Sequence, residues 1–189
     1  MKNKSTIDIP FFKNWKELFL FLSFIILFTN NVKAQSALYQ EGFEGTHGWT
    51  FVNGSQTNKW VVGTATSWSG SRSLYISNNS GTSNTYTGNA ASVVQAYKDV
   101  AIPAGTTTAS LQFYFKCNGQ AGQDYFRVWL VPSTFTPNAG TQITAGGGRV
   151  QIGANFRNGD ANWYITSYNN LDISAFAGGN MRLVFEWRN

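Results

Sequence analysis

One cysteine, one histidine, four prolines and nine acidic residues stand in a chain of 189, and the scarcest of these close off whole classes of chemistry. The lone Cys117 rules out a disulfide framework and a thiolate zinc site. The lone His47 rules out any site that needs two imidazoles. Charged residues make up 12%, about half the ~25% usual in soluble proteins, while aromatics reach 16%. Sparse charge beside plentiful aromatics is the reverse of a disordered composition. The same balance disfavours long helices and coiled coils, which draw on Ala, Glu, Lys and Leu.

Long apolar runs are scarce too, and the one that exists lies near the start. Lys2, Lys4, Lys13 and Lys16 precede an apolar stretch over 18–28, broken by Ser23, and Val32-Lys33-Ala34 follows. A charged start, a short apolar middle and a small-residue end describe a secretory signal peptide cut after Ala34. The stretch is too short to anchor the chain, since a membrane-spanning helix needs ~20 apolar residues. The expected organisation is therefore a leader over 1–34 and a single domain over 35–189, secreted or displayed at the cell surface. The charge changes with it. The formal +5 of the whole chain includes five leader lysines against Asp8 and Glu17, leaving nine basic and seven acidic residues in the domain. A nearly balanced domain gives no reason to expect nucleic acid as a partner.

The domain reads as short strands. Alternation of period two is clearest over 109–117, where Leu111, Phe113 and Phe115 share a face, and over 124–131, where Phe126, Val128 and Leu130 do. The Gly- and Asn-bearing segment 118–123 between them predicts a hairpin, with Phe115 opposite Phe126 and Phe113 opposite Val128. Further strands are expected over 60–62, 72–77, 93–102 (interrupted), 150–156, 163–168 and 181–187. Many short strands, turn-rich connections and no helical periodicity imply an all-β, two-sheet antiparallel sandwich or a barrel.

Three stretches carry a family resemblance. They are the opening Gly42-Phe43-Glu44-Gly45 with Gly48-Trp49, the segment Ser69-Gly70-Ser71-Arg72-Ser73-Leu74, and the run from Trp163 through Leu171-Asp172-Ile173 to Met181-Arg182-Leu183-Val184-Phe185-Glu186-Trp187. In this order they resemble the choice-of-anchor J and cleaved-adhesin domains, relatives of MAM-type and carbohydrate-binding jelly rolls. The resemblance implies a two-sheet jelly roll that serves secreted bacterial proteins as a non-catalytic adhesion or glycan-binding module. It also implies a closing strand after 181–187. The sequence stops at Asn189, so either the chain continues into that strand and into further domains, which is the expectation, or one sheet keeps an unpaired edge.

The resemblance further implies a structural Ca²⁺ held by Glu44 with backbone carbonyls of Ser71 or Arg72. Oxygen ligands of this kind suit the ion. For a glycan, the hairpin register sets Tyr114 beside Arg127, Gln112 beside Trp129 and Lys116 beside Tyr125. Rings, an amide and a guanidinium on one face suit a sugar, though a covering loop or plain solvation would explain them equally. Trp68, in the Ser/Gly segment 66–70, is either a stacking platform or a ring folded onto the core. Trp49, Trp60, Trp163 and Trp187 are expected in the core, as is Cys117, and Asp124 is either a ligand of a second ion site or, as expected, a solvated turn residue.

Catalysis finds little support. His47 lacks a G-x-S-x-G partner, and the domain's seven acids show no pairing suited to glycoside hydrolysis. Glycans, or proteins of a host or cell surface, are the expected partners. A spacer domain without a ligand and a small jelly-roll polysaccharide-degrading enzyme are the alternatives.

Overall fold

The computed structural model describes residues 36–189, so the expected leader and its cleavage point lie outside the described residues. Strands follow in the order β1 (Thr50–Val52), β2 (Lys59–Gly63), β3 (Ser73–Ser77), β4 (Val93–Ala101), β5 (Thr108–Phe115), β6 (Tyr125–Pro132), β7 (Val150–Phe156), β8 (Tyr164–Asp172) and β9 (Asn180–Arg188). A single 3-10 turn, Ser174–Phe176, interrupts the β structure. Among the described residues no helix is long and apolar enough to cross a membrane. β4 runs unbroken where an interruption was expected, because every residue from Val93 to Ala101 pairs with β9.

The strands form an antiparallel β-sandwich. One layer is a five-stranded sheet in the order β1-β4-β9-β6-β7, and two separate ribbons, β2–β3 and β5–β8, pack against it. This is the all-β antiparallel sandwich that the sequence predicts, with its second layer made of two ribbons. Alternation explains the packing. Leu111, Phe113 and Phe115 point inward from β5, and Phe126, Val128 and Leu130 point inward from β6 to meet them. The centre is aromatic: Phe126 stacks on Phe156 at 4.9 Å, and Trp49 stacks on Phe185 at 5.2 Å. Each such ring contributes ~1.5–3 kcal/mol through burial, which lets the core cohere without disulfides.

The predicted hairpin does not exist. β5 pairs with β8, with Tyr114 opposite Ile165 and Gln112 opposite Ser167. β6 lies in the other layer between β9 and β7. Phe115 and Phe113 do meet Phe126, at 5.4 and 6.1 Å between ring centres, but across the core instead of along a ladder. Period-two alternation demands only that both apolar faces reach one core, and either arrangement satisfies it. The connection 116–124 crosses between layers and is tied down by Asp124. This carboxylate accepts hydrogen bonds from the Tyr86 hydroxyl at 2.5 Å and the Gln120 N–H at 2.8 Å. Asp124 is buried, so its expected role as a solvated turn residue is also corrected.

β9 matches the expected strand over 181–187 and sits in the middle of its sheet, paired with β4 on one side and β6 on the other. The edges are β1 and β7. β1 is only three residues long, and the ladder joining β7 to β6 shifts register between Phe126 and Val128, features that blunt an edge against further pairing.

Candidate functional site

The outer face of the β5–β8 ribbon carries an exposed aromatic surface. Alternation sends Gln112 and Tyr114 outward from β5 while Phe113 and Phe115 enter the core. Trp68 reaches this face from the loop between β2 and β3 and lies on Tyr114, ring centres 4.6 Å apart and planes within 12°. Trp163, just before β8, stands 6.4 Å from Trp68 and tilted by 59°. Trp68 remains 52% exposed, Tyr114 44% and Ile165 52%. The ring of Trp68 is therefore neither free in solvent nor folded onto the core. Beside the stack, the Gln112 amide donates to the Ser167 hydroxyl at 2.8 Å, and the Lys116 ammonium sits 5.2 Å from the centre of the Trp163 ring.

The loop that presents Trp68 is pinned on both sides of it. Ahead of Trp68, the Ser73 hydroxyl donates to the Thr66 carbonyl at 2.5 Å, and the Ser67 hydroxyl donates to the Gly70 carbonyl at 3.2 Å. Behind it, Glu44 Oε1 accepts the N–H groups of Ser71 and Arg72, both at 2.9 Å, and Oε2 accepts the Ser71 hydroxyl at 2.7 Å. These donors, the Ser71 hydroxyl foremost, hold the Glu44 carboxyl below its ordinary value. Gly70 makes the clamp possible: its φ is +68°, and a Cβ there would collide with Glu44 Oε1.

That geometry bears on the expected Ca²⁺. The loop turns the Ser71 and Arg72 N–H groups and the Ser71 hydroxyl toward Glu44, and the Ser71 carbonyl, trans to the Arg72 N–H across one peptide, points away. Donor hydrogens repel a cation, so Glu44, Ser71 and Arg72 as arranged do not fit a Ca²⁺ site. No group of three or more His, Cys, Asp or Glu that could hold a metal occurs among the described residues.

The remaining predicted glycan residues lie elsewhere. Arg127 and Trp129 project from the opposite layer, on the outer face of the five-stranded sheet, away from Tyr114 and Gln112. The loop after β6 covers them. Trp129 is 2% exposed and packs with Val131, Val184 and Ile143, so its ring offers no face to a ligand. The Arg127 guanidinium lies 5.0 Å from the centre of that ring and forms an ion pair with the fully buried Glu186. Glu186 also accepts the Ile143 N–H at 2.6 Å, and Arg127 donates to the Ile143 carbonyl at 3.0 Å. The single binding face drawn from the hairpin is therefore divided between the two layers, because the hairpin that would have joined its halves does not form.

Three of the four core tryptophans are placed as expected: Trp49, Trp60 and Trp187 are buried. Trp163 is not, and lines the aromatic surface. Trp163 and Ile165 were missed because only the pairing of β8 with β5 brings them beside Tyr114. Cys117 is packed against the core, and burial pushes its thiol up to about 11, well away from thiolate chemistry. His47 Nδ1 accepts the Trp49 N–H at 3.0 Å while its ring stacks on Phe51 at 5.4 Å, so its side chain is engaged in the structure of the opening segment.

Neither a family model nor a curated protein sequence matches the chain. Among solved structures, the chain is similar to TmCBM61, determined in complex with beta-1,4-galactotriose, at a TM-score of 0.46 and 14% identity over 82% of this chain and 89% of that one. What this protein binds has to come from its own residues.

Proposed function

We propose that this protein is a non-catalytic carbohydrate-binding β-sandwich of a secreted or cell-surface protein, and that its glycan lies on the surface formed by Trp68, Tyr114 and Trp163. The observation that carries this reading is the Trp68–Tyr114 stack, held half-exposed by a pinned loop. Among the described residues the exposed aromatic rings are Trp68, Tyr114 and Tyr164, the first two stacked together, and a cluster of exposed apolar side chains is the feature that calls for a partner. An aromatic face stacks on the apolar face of a pyranose, while the neighbouring Gln112 and Ser167 supply an amide and a hydroxyl for sugar hydroxyls. The expected export leader and the resemblance to adhesin modules support an extracellular setting, where glycans or the proteins of a host surface are the partners.

The test is a glycan array covering plant, algal, bacterial and host polysaccharides, followed by titration calorimetry on the glycans retained. Saturable binding without release of reducing ends is expected. Absence of binding across the array contradicts the reading and leaves a spacer domain. Release of reducing ends that a single acid substitution abolishes would make the protein an enzyme instead.

A further inference from the structure

We infer that the aromatic surface selects acidic polysaccharides, with Lys116 as the residue that reads the anionic group; the inference rests on the proposed glycan site and names its ligand class. Three observations carry it. First, the Lys116 ammonium lies over the Trp163 ring at 5.2 Å, and Trp163 in turn borders Trp68, so Trp163 holds a cation at the rim of the stacking platform. Second, no carboxylate among the described residues neutralises that cation. The ion pairs among the described residues are Arg127 with Glu186 and Arg182 with Asp99, both on the other layer, and Lys116 has no carboxylate within ion-pair distance. Third, the acids at this end of the ribbon are engaged elsewhere. Asp160 accepts the Tyr164 hydroxyl at 2.7 Å and the Asn162 N–H at 2.9 Å. Tyr164 pairs opposite Phe115 and contacts its ring at 6.3 Å, so it alternates away from Trp163 and Ile165 and takes Asp160 with it. Asp124 is buried against Tyr86 and Gln120.

Arg157 adds to the positive character of this end, its guanidinium donating to the Gly119 carbonyl at 2.5 Å. A sugar stacked at Trp68 would therefore set an exocyclic carboxylate or sulfate of an adjoining residue toward an ammonium. A neutral polymer of the same backbone would gain the stacking and lose the charge. The domain's near-zero net charge does not oppose this, because recognition at contact distance depends on the local charge once salt screens the remainder.

The experiment uses matched polymers that differ only in the anionic group: polygalacturonate and its carboxyl-reduced form, and a carrageenan and its desulfated form. Affinity electrophoresis and calorimetry are run at low and at raised NaCl on the wild type, Lys116→Gln, Lys116→Arg and Trp68→Ala. The expected result is that one acidic polymer binds roughly five- to tenfold tighter than its neutral partner, a preference that shrinks with salt. Which pair shows it tells carboxylate from sulfate. Lys116→Gln erases the preference, Lys116→Arg keeps it, and Trp68→Ala weakens acidic and neutral forms alike. Equal affinity within both pairs, or a preference that survives Lys116→Gln, overturns the inference while leaving the glycan site standing. Binding to neutral array glycans alone does the same. No binding to any polymer here or on the array overturns the glycan site itself.

Discussion

Replacing Glu186 by Leu is expected to cost this fold about 4 kcal/mol, the middle of the ~3–5 kcal/mol range for removing one partner of a buried pair. The structure gives three reasons. The Arg127 guanidinium, with its side chain only 12% exposed, loses the carboxylate it donates to through both Nε and Nη2. The Ile143 N–H, 2.6 Å from Glu186 Oε2, is left buried without an acceptor. Gln95 Nε2 loses its weaker acceptor at 3.4 Å and keeps the Thr141 carbonyl at 2.9 Å. At ~2–4 °C of melting temperature per kcal/mol for a domain of this size, Tm should fall by roughly 8–16 °C. The assay is urea and thermal unfolding followed by tryptophan fluorescence, with hydrogen exchange over residues 133–149 to show that the covering loop loosens. Joining Glu186→Leu to Arg127→Met should recover the part of the loss that comes from the stranded guanidinium, while the Ile143 N–H stays unpaired. A single variant that costs under ~1 kcal/mol, or a double variant as unstable as the single, refutes the view that this pair fastens the loop to the sheet.

Further outcomes concern the Trp68 loop. Gly70→Ala should destabilise by about 1 kcal/mol or more, since φ is +68° and the added Cβ strikes Glu44, and it should weaken glycan binding without touching a ligand atom; unchanged stability and binding would contradict the clamp. The Glu44 carboxyl titrates below its ordinary 4.5 in the folded state, so the stability that its clamp contributes is present above 4.5 and is lost as pH falls through the lowered value. Trp68 emission should change in that acid window, and Glu44→Gln should flatten the change. EDTA and added Ca²⁺ should leave Tm unmoved; a chelator-induced fall would show that an ion, and not the N–H donors, holds the loop.

The inward faces were legible because alternation records burial directly. Leu111, Phe113 and Phe115, and likewise Phe126, Val128 and Leu130, point inward as their spacing predicts. Which strand lies beside which was not legible. A chain that turns after Cys117 can fold back along the same sheet or cross to the other layer, and the pattern of apolar residues is identical in both cases. That one ambiguity decided the site. It joined Tyr114 to Arg127 and Trp129 on paper, whereas the ladder joins Tyr114 to Ile165. The burial of Trp129 and Glu186 was hidden for a related reason: their cover is a loop, with no periodicity to announce it. Glu44 does meet the Ser71–Arg72 segment, yet sequence could not say whether the loop would turn carbonyls or N–H groups toward the carboxylate. Backbone direction at Gly70 settles that, and a glycine tolerates either.

The central claim is that the Trp68–Tyr114 surface holds a glycan. The most direct measurement is calorimetric titration of wild type, Trp68→Ala and Tyr114→Ala with whichever glycan the array retains, alongside their melting curves. Both variants should melt close to wild type, since these rings are half-exposed, and both should lose tenfold or more in affinity, about 1.4 kcal/mol. Wild-type affinity in Trp68→Ala, with the fold intact, would contradict the account.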